Sequence, residues 1–386
     1  MTSFLKSSIK SIRYRHKVEK FSRELAIISS SNSAHCQQQP LQHRNPYKIA
    51  FVIPGMSRYS GGHTSILRLG TYLCNFGHEV YYLTYSQDSK KSMEMNAEAN
   101  LPGYRGTFLE RRTWPAYRFD IGIATKWISC YHLLAYQDRF ARKAYFIQDF
   151  EPFFYPVGDY YLMALNTYKM GFRMISLGRW NRKMIERFVP NTRVSCIDFP
   201  FEIKQYAIQK RRIEIQRVVR FAVYLKRDPK RAPFLLVEHL SYLSKKLEEA
   251  GLIVEINFFG LEKYLKMPIG NNLGKLTADQ LKSLYQNVHF GLIASLTNIS
   301  LVNYEMIASG LPVIDLADGS AADFFSQDEL IFIESHPQDL FHKVQYYLMN
   351  QEKLNQLIDQ AQKKLKNQTW ENSAHQFHQL LFEEDN

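Results

Sequence analysis

Residues 291–315, GLIASLTNISLVNYEMIASGLPVID, are the stretch from which the architecture can be read. The apolar run 290–294 has the length of a strand buried on both faces. An irregular loop follows, and Asn298-Ile299-Ser300 places backbone amides at the start of a helix over 301–309. Ser309-Gly310 stops that helix, and 312–315 is the next strand. Strand, helix and strand in so short a span make a βαβ unit with parallel strands. Glu305 lies a little over one turn into the helix. A carboxylate there can accept from both hydroxyls of a ribose, although taken alone it is equally an ordinary helix glutamate.

The alternation extends both ways. Upstream, VVRFAVY (218–224) is a strand, 233–250 an amphipathic helix, IVEINFF (253–259) a strand ending at Gly260, and 277–287 a helix. Downstream come a strand at 330–333 and helices at 337–348, 351–367 and 370–383. A first α/β half opens at IAFVI (49–53), which ends at Pro54-Gly55. Ser60-Gly61-Gly62-His63-Thr64 then starts a helix with Ile66, Leu67, Leu69, Leu73 and Phe76 inward, closed by Gly77. Strands follow at 79–84, 119–124, 144–147, 174–177 and 194–197, with helices near 127–136, 160–171 and 179–189.

The chain therefore divides into a basic leader and polar linker (1–46), a first Rossmann-like domain (47–202), a charged linker (203–217), a second Rossmann-like domain (218–369) and a last helix (370–386). Sheets of this kind take ligands beyond the carboxyl ends of their strands, and two facing halves put those ends across one cleft.

Composition narrows the partners. The formal charge is +12 in 386 residues, which favours phosphorylated or otherwise anionic ligands. Lys6, Lys10, Arg13, Arg15, Lys17, Lys20 and Arg23 crowd the leader. Phe4, Ile9, Ile12 and Val18 give residues 1–25 an apolar side, so the segment reads either as a helix on an anionic membrane face or as a solvated leader. Neither a secretory signal nor an apolar run of spanning length is visible. Cys36, Cys74, Cys130 and Cys196 are scattered, which fits reduced thiols in the cytoplasm. Nucleic acid is an unsuitable partner: there is no zinc spacing, and the basic residues do not interleave with stacking aromatics.

The closing segment Gly310-Leu311-Pro312-Val313-Ile314 after Glu305, the pair Gly61-Gly62 and the run Gly77-His78-Glu79-Val80 resemble GT-B family 4 glycosyltransferases over about residues 48–375. In that family a second glutamate precedes the one matching Glu305 and contacts the donor sugar; Thr297 stands in its place here. The run AYFIQDFEPFFYP (144–156) resembles the corresponding segment of WsaF-type rhamnosyltransferases, which use a dTDP-linked rhamnose. A threonine at 297 is compatible with a 6-deoxy sugar, which has fewer hydroxyls to satisfy.

The resemblance implies a GT-B fold whose last helix crosses back to the first domain, and donor contacts from Arg227, Lys275 and Glu305. It implies transfer with retention, without metal ion, cofactor or covalent intermediate. Asp149 is then the catalytic candidate that holds or deprotonates the acceptor hydroxyl; its other reading is a turn carboxylate. Arg231 and Ser300 join the expected nucleotide and diphosphate site by position, since arginine forks match phosphate oxygens and helix starts bind anions. Gly61, Gly62, His63, Gln148, Glu151, Thr297 and Asn298 fall near the donor sugar or the acceptor. No Asp-x-Asp is present, so Asp149-Phe150-Glu151 is the nearest carboxylate pair for a metal, and the cations are the better answer to a departing diphosphate.

Phe150, Phe153, Phe154, Tyr155, Tyr160 and Tyr161 either stack on acceptor sugars or plug the space between the domains. The expected partners are a nucleotide sugar, preferably a dTDP-linked 6-deoxyhexose, and a saccharide or lipid-linked acceptor, met in the cytoplasm or on the inner membrane face. A UDP- or GDP-hexose transferase and a non-catalytic glycan-binding subunit remain the alternatives.

Overall fold

The computed structural model describes residues 35–42, 44–201, 208–366 and 368–383, with residues 11, 14–19, 21–22, 26–27 and 29 of the leader. The first domain is a parallel sheet in the order β3-β2-β1-β4-β5-β6-β7. Its strands are β1 (Lys48–Ile53), β2 (Glu79–Thr84), β3 (Thr107–Leu109), β4 (Phe119–Ala124), β5 (Phe140–Ile147), β6 (Arg173–Leu177) and β7 (Val194–Ile197). The second sheet runs β10-β9-β8-β11-β12-β13. It comprises β8 (Val218–Tyr224), β9 (Ile253–Phe259), β10 (Asn271–Asn272), β11 (Phe290–Leu292), β12 (Val313–Leu316) and β13 (Ile331–Ile333).

Every residue of the run 49–53 is fully buried, because β1 is paired on both edges and covered on both faces. Helix α1 (Gly61–Asn75) starts at the Ser60 cap and buries Ile66, Leu67, Leu69 and Leu73. The remaining first-domain helices are α2 (Lys90–Asn100), α3 (Trp127–Ala135), α4 (Asp159–Thr167) and α5 (Arg179–Phe188). In the second domain they are α6 (Pro233–Glu249), α7 (Ala278–Asn287), α8 (Leu301–Ala308), α9 (Pro337–Met349) and α10 (Gln351–Leu365).

Several expectations shift. β5 begins at Phe140 rather than 144, although Arg142 and Lys143 are charged. Carbonyls receive both: Arg142 Nη1 donates to Leu381 O, and Lys143 Nζ to Gln37 O and Phe140 O. Helix α2 and strands β3 and β10 were not anticipated; α2 is polar and buries only Met93 and Ala97. Phe76 does not line the inner face of α1; it follows the helix and packs 4.6 Å from the His375 ring. In the charged segment before β8, Ile213 and Ile215 are buried and their amides are held by Asn355 and Gln351.

The last helix, α11 (Trp370–Phe382), returns to the first domain. Phe377 stacks on Phe51 and meets Phe146 edge-on, and Arg173 Nη1 donates to Leu380 O. Trp370 is buried beneath the Arg68 guanidinium. Where the chain leaves the first domain and where it returns, it touches itself at one isolated bridge: Phe201 N donates to Gln368 O at 2.9 Å, and Phe201 pairs with Thr369. Tyr304 stacks on Phe199 beside them, and Phe324 meets Phe199 edge-on.

Residues 14–19 of the leader are helical, and Phe21 meets Tyr160 of α4 edge-to-face at 5.5 Å. Residues 1–10, which the membrane-surface reading needs, lie outside the described set. Among the described residues no helix is long and apolar enough to cross a membrane. All four cysteines are free.

Candidate active site

The cleft lies where the carboxyl ends of both sheets meet. β5 ends at Ile147, and the chain turns through Gln148 and Asp149 into a short 3-10 turn, Glu151–Phe154. The Asp149 carboxylate reaches the other domain. Its Oδ1 accepts from Thr297 Oγ1 at 2.9 Å, and its Oδ2 pairs with Lys230 Nζ at 3.2 Å. The Lys230 ammonium also lies 4.7 Å from the Phe154 ring centre. One carboxylate of the first domain is thus held by two donors of the second.

Thr297 sits on the loop between β11 and α8, and two buried groups shape that loop. Arg231, only 6% exposed, donates from Nη1 to Ala294 O and from Nη2 to Asn298 Oδ1 at 2.9 Å. These acceptors are neutral, so its positive charge stays uncompensated by any carboxylate among them. Asp315 lies beneath: its Oδ1 accepts from Ser295 N and its Oδ2 from Asn303 Nδ2. Burial pushes the Asp315 carboxyl up to about 6 while these hydrogen bonds hold it down. Ser300 caps α8 by accepting from Val302 N, and Glu305 is half-buried farther along that helix. Arg227 and Lys275 are exposed, on the loops that follow β8 and β10.

Across the cleft the first amides of α1 belong to Gly61 and Gly62. A Cβ on Gly61 would meet nothing, and one on Gly62 would lie 3.5 Å from Gln148 Oε1. His63 Nδ1 accepts from Ser57 N at 3.0 Å, and burial lowers the ring's pKa. The same Nδ1 lies 3.4 Å from Ser57 O, so the Ser57 backbone fixes the orientation of the ring.

Glu151 is different. Its side chain is buried, and Oε2 accepts from Trp127 N at the start of α3 and from the Tyr145 hydroxyl. Burial pushes its carboxyl up to about 7 against the pull of those two bonds. Asp149 and Glu151 therefore point to different partners, one across the cleft and one into the first domain, and do not make a carboxylate pair.

The aromatic block is divided as well. Phe150 is fully buried, Tyr155 stacks on Tyr160, and Phe153 is 41% exposed. Beside Phe153 a cavity of about 490 Å³ opens between α5 and the loop after β12.

Lys230 was not anticipated among the site residues. It belongs to the basic run 226–231, and only the fold separates its members. Asp228 Oδ1 caps Lys230 N, and the resulting turn sends Lys230 to Asp149 and Arg231 to the loop. Phe188, at the end of α5, carried no sequence signal.

Residues 241–379 match the family described as glycosyl transferase-like. The O-antigen biosynthesis protein RfbC of Myxococcus xanthus is 30% identical over 201 residues, which is 50% of this chain and 15% of that protein. HepE of Anabaena, solved with UDP and glucose, superposes over 87% of this chain and 99% of its own, with a TM-score of 0.66 at 11% identity. The sucrose-phosphate synthase of Thermosynechococcus elongatus does so over 86% and 98%, with a TM-score of 0.65 at 13% identity. The chain thus has the two-domain GT-B architecture, and residues 241–379, in its second domain and returning last helix, are glycosyl transferase-like in sequence.

Proposed function

We propose that the chain is a glycosyltransferase that moves a sugar from a nucleoside diphosphate onto a saccharide or lipid-linked acceptor. The observation that carries this reading is the meeting of Asp149 with Thr297 and Lys230 at the mouth of two facing sheets. A departing diphosphate gathers negative charge. Arg227, Lys275 and the first amides of α8 answer it, Lys230 holds Asp149, and Glu305 takes the ribose hydroxyls. Arg231 acts through Asn298, keeping those amides aimed. Gly61, Gly62, His63 and Gln148 border the transferred sugar. Asp149 holds the acceptor hydroxyl and accepts its proton as the new bond forms. Transfer proceeds with retention and draws on these side chains rather than on a metal.

The donor in this reading is dTDP-L-rhamnose. Support comes from the segment 148–156 and from Thr297, which is shorter than the glutamate it replaces. Nucleotide-sugar use in general is supported by HepE, whose structure holds UDP and glucose, and work on surface glycan by the naming of RfbC for O-antigen biosynthesis.

A thermal-shift series with dTDP, UDP and GDP provides the test. At a hundredfold excess over Kd the matching nucleotide adds about 2.7 kcal/mol to the folded state. dTDP is expected to raise Tm most, and dTDP-L-rhamnose further. Equal stabilisation by all three removes the rhamnosyl assignment, and stabilisation by none removes the transferase.

A further inference from the structure

The cavity between α5 and the loop after β12 has walls from both domains: Phe153 and Phe188 from the first, Leu296 and Asp318 from the second. Neither Asp149 nor Thr297 lines it, but each is next in the chain to a residue of its wall or of the packing behind that wall. Phe150, next to Asp149 in the chain, packs against Phe153 and Phe188 with ring centres 4.8 and 5.2 Å apart. Leu296 is next to Thr297. An acceptor whose hydroxyl reaches Asp149 therefore has this space available for the rest of its length.

Two features define what fits. Phe153 and Phe188 are 41% and 37% exposed, and their rings stand edge-to-face at 5.7 Å and 88°. Two exposed rings side by side on one wall form an apolar surface that the C–H face of a pyranose can cover. The charges on the walls cancel. Lys183 and Arg187 give two positive charges, Asp318 and Asp323 two negative, and Lys183 Nζ already pairs with Asp323 Oδ1 at 2.9 Å. A pocket with no net charge does not select a phosphate, whereas Arg187 and Asp318, both exposed, offer a donor and an acceptor to hydroxyls. A volume of about 490 Å³ is that of a binding pocket for a whole ligand rather than for one ring substituent.

We propose that this cavity is the acceptor subsite and that it takes a neutral saccharide of two or more residues, stacked on Phe153 and Phe188; this rests on the transferase reading. The anionic carrier of any lipid-linked acceptor then lies outside the pocket.

The test uses the full chain on an array of neutral and anionic oligosaccharides, with dTDP or UDP present. Neutral oligosaccharides are expected to bind. Phe153→Ala and Phe188→Ala each weaken binding at least fivefold, and Phe153→Trp, which keeps a ring, retains it. The nucleotide-induced thermal shift stays unchanged in all three variants, which checks their folding. Capture of anionic glycans alone, capture of no glycan, or equal binding by the alanine variants overturns the proposal. The nucleotide shift is scored separately: its absence removes the transferase reading, and the glycan signal still decides the pocket.

Discussion

Thr297 acts across the cleft: a buried hydroxyl of the second domain donates to the carboxylate proposed to activate the acceptor. A hydrogen bond to a charged group is worth about 1.5 kcal/mol or more. Thr297→Val keeps the shape and removes the donor. The rate of sugar release from dTDP-L-rhamnose should fall about tenfold or more, with nucleotide affinity unchanged and with Thr297→Ser restoring the rate. A valine variant as fast as the parent would sink the positioning role. Asp149, Gln148 and Thr297 were legible as site candidates because their neighbours form a recognisable run. Lys230 was not, since a string of lysines and arginines does not reveal which side chain a turn will send across a cleft. Glu151 misled for the opposite reason: it shares that recognisable run, yet the start of α3 needs its carboxylate.

Most strands of both sheets could be placed from sequence because a strand buried on both faces is a continuous apolar run. The start of β5 escaped because the carbonyls that receive Arg142 and Lys143 come largely from distant parts of the chain. The junction of β6 and α5 carries a further constraint. Gly178 has a φ of 82°, and a Cβ there would overlap the Phe324 ring of the other domain. Gly178→Ala should lower unfolding stability by about 2 kcal/mol in urea titrations. Adding Phe324→Ala should recover part of that loss, because it removes the overlap. Strictly additive losses would show that the backbone angle alone is responsible.

At the scale of the whole molecule, the two halves and the returning helix were readable, but the way α11 is fastened was not. His78 Nε2 and His378 Nε2 lie 2.9 Å apart with nearly parallel rings, and only one proton fits between them. Burial is the main cause lowering both pKa values; His378 adds to the shift at His78, and the exposed His375 to that at His378. A lowered folded-state value means that the docked helix binds fewer protons than the free one. Docking is therefore complete above the ordinary histidine pKa of about 6.5 and weakens as pH falls through it. Amide exchange in residues 370–382, corrected for intrinsic rates, should lose protection between pH 7.5 and 5.5. His378→Phe should flatten that dependence; an unchanged slope in the variant would exclude the histidine pair as its source.

The paired passages at Phe201 and Thr369 set the mechanics of the cleft. A single connection swivels freely, whereas two connections tied together at one point resist torsion more than bending. The halves should accordingly move like the covers of a book about one spine, with the aromatic stack of Phe199 and Tyr304 at the binding edge. Each closure would then return Thr297 and Lys230 to the same register on Asp149, whichever substrate has entered.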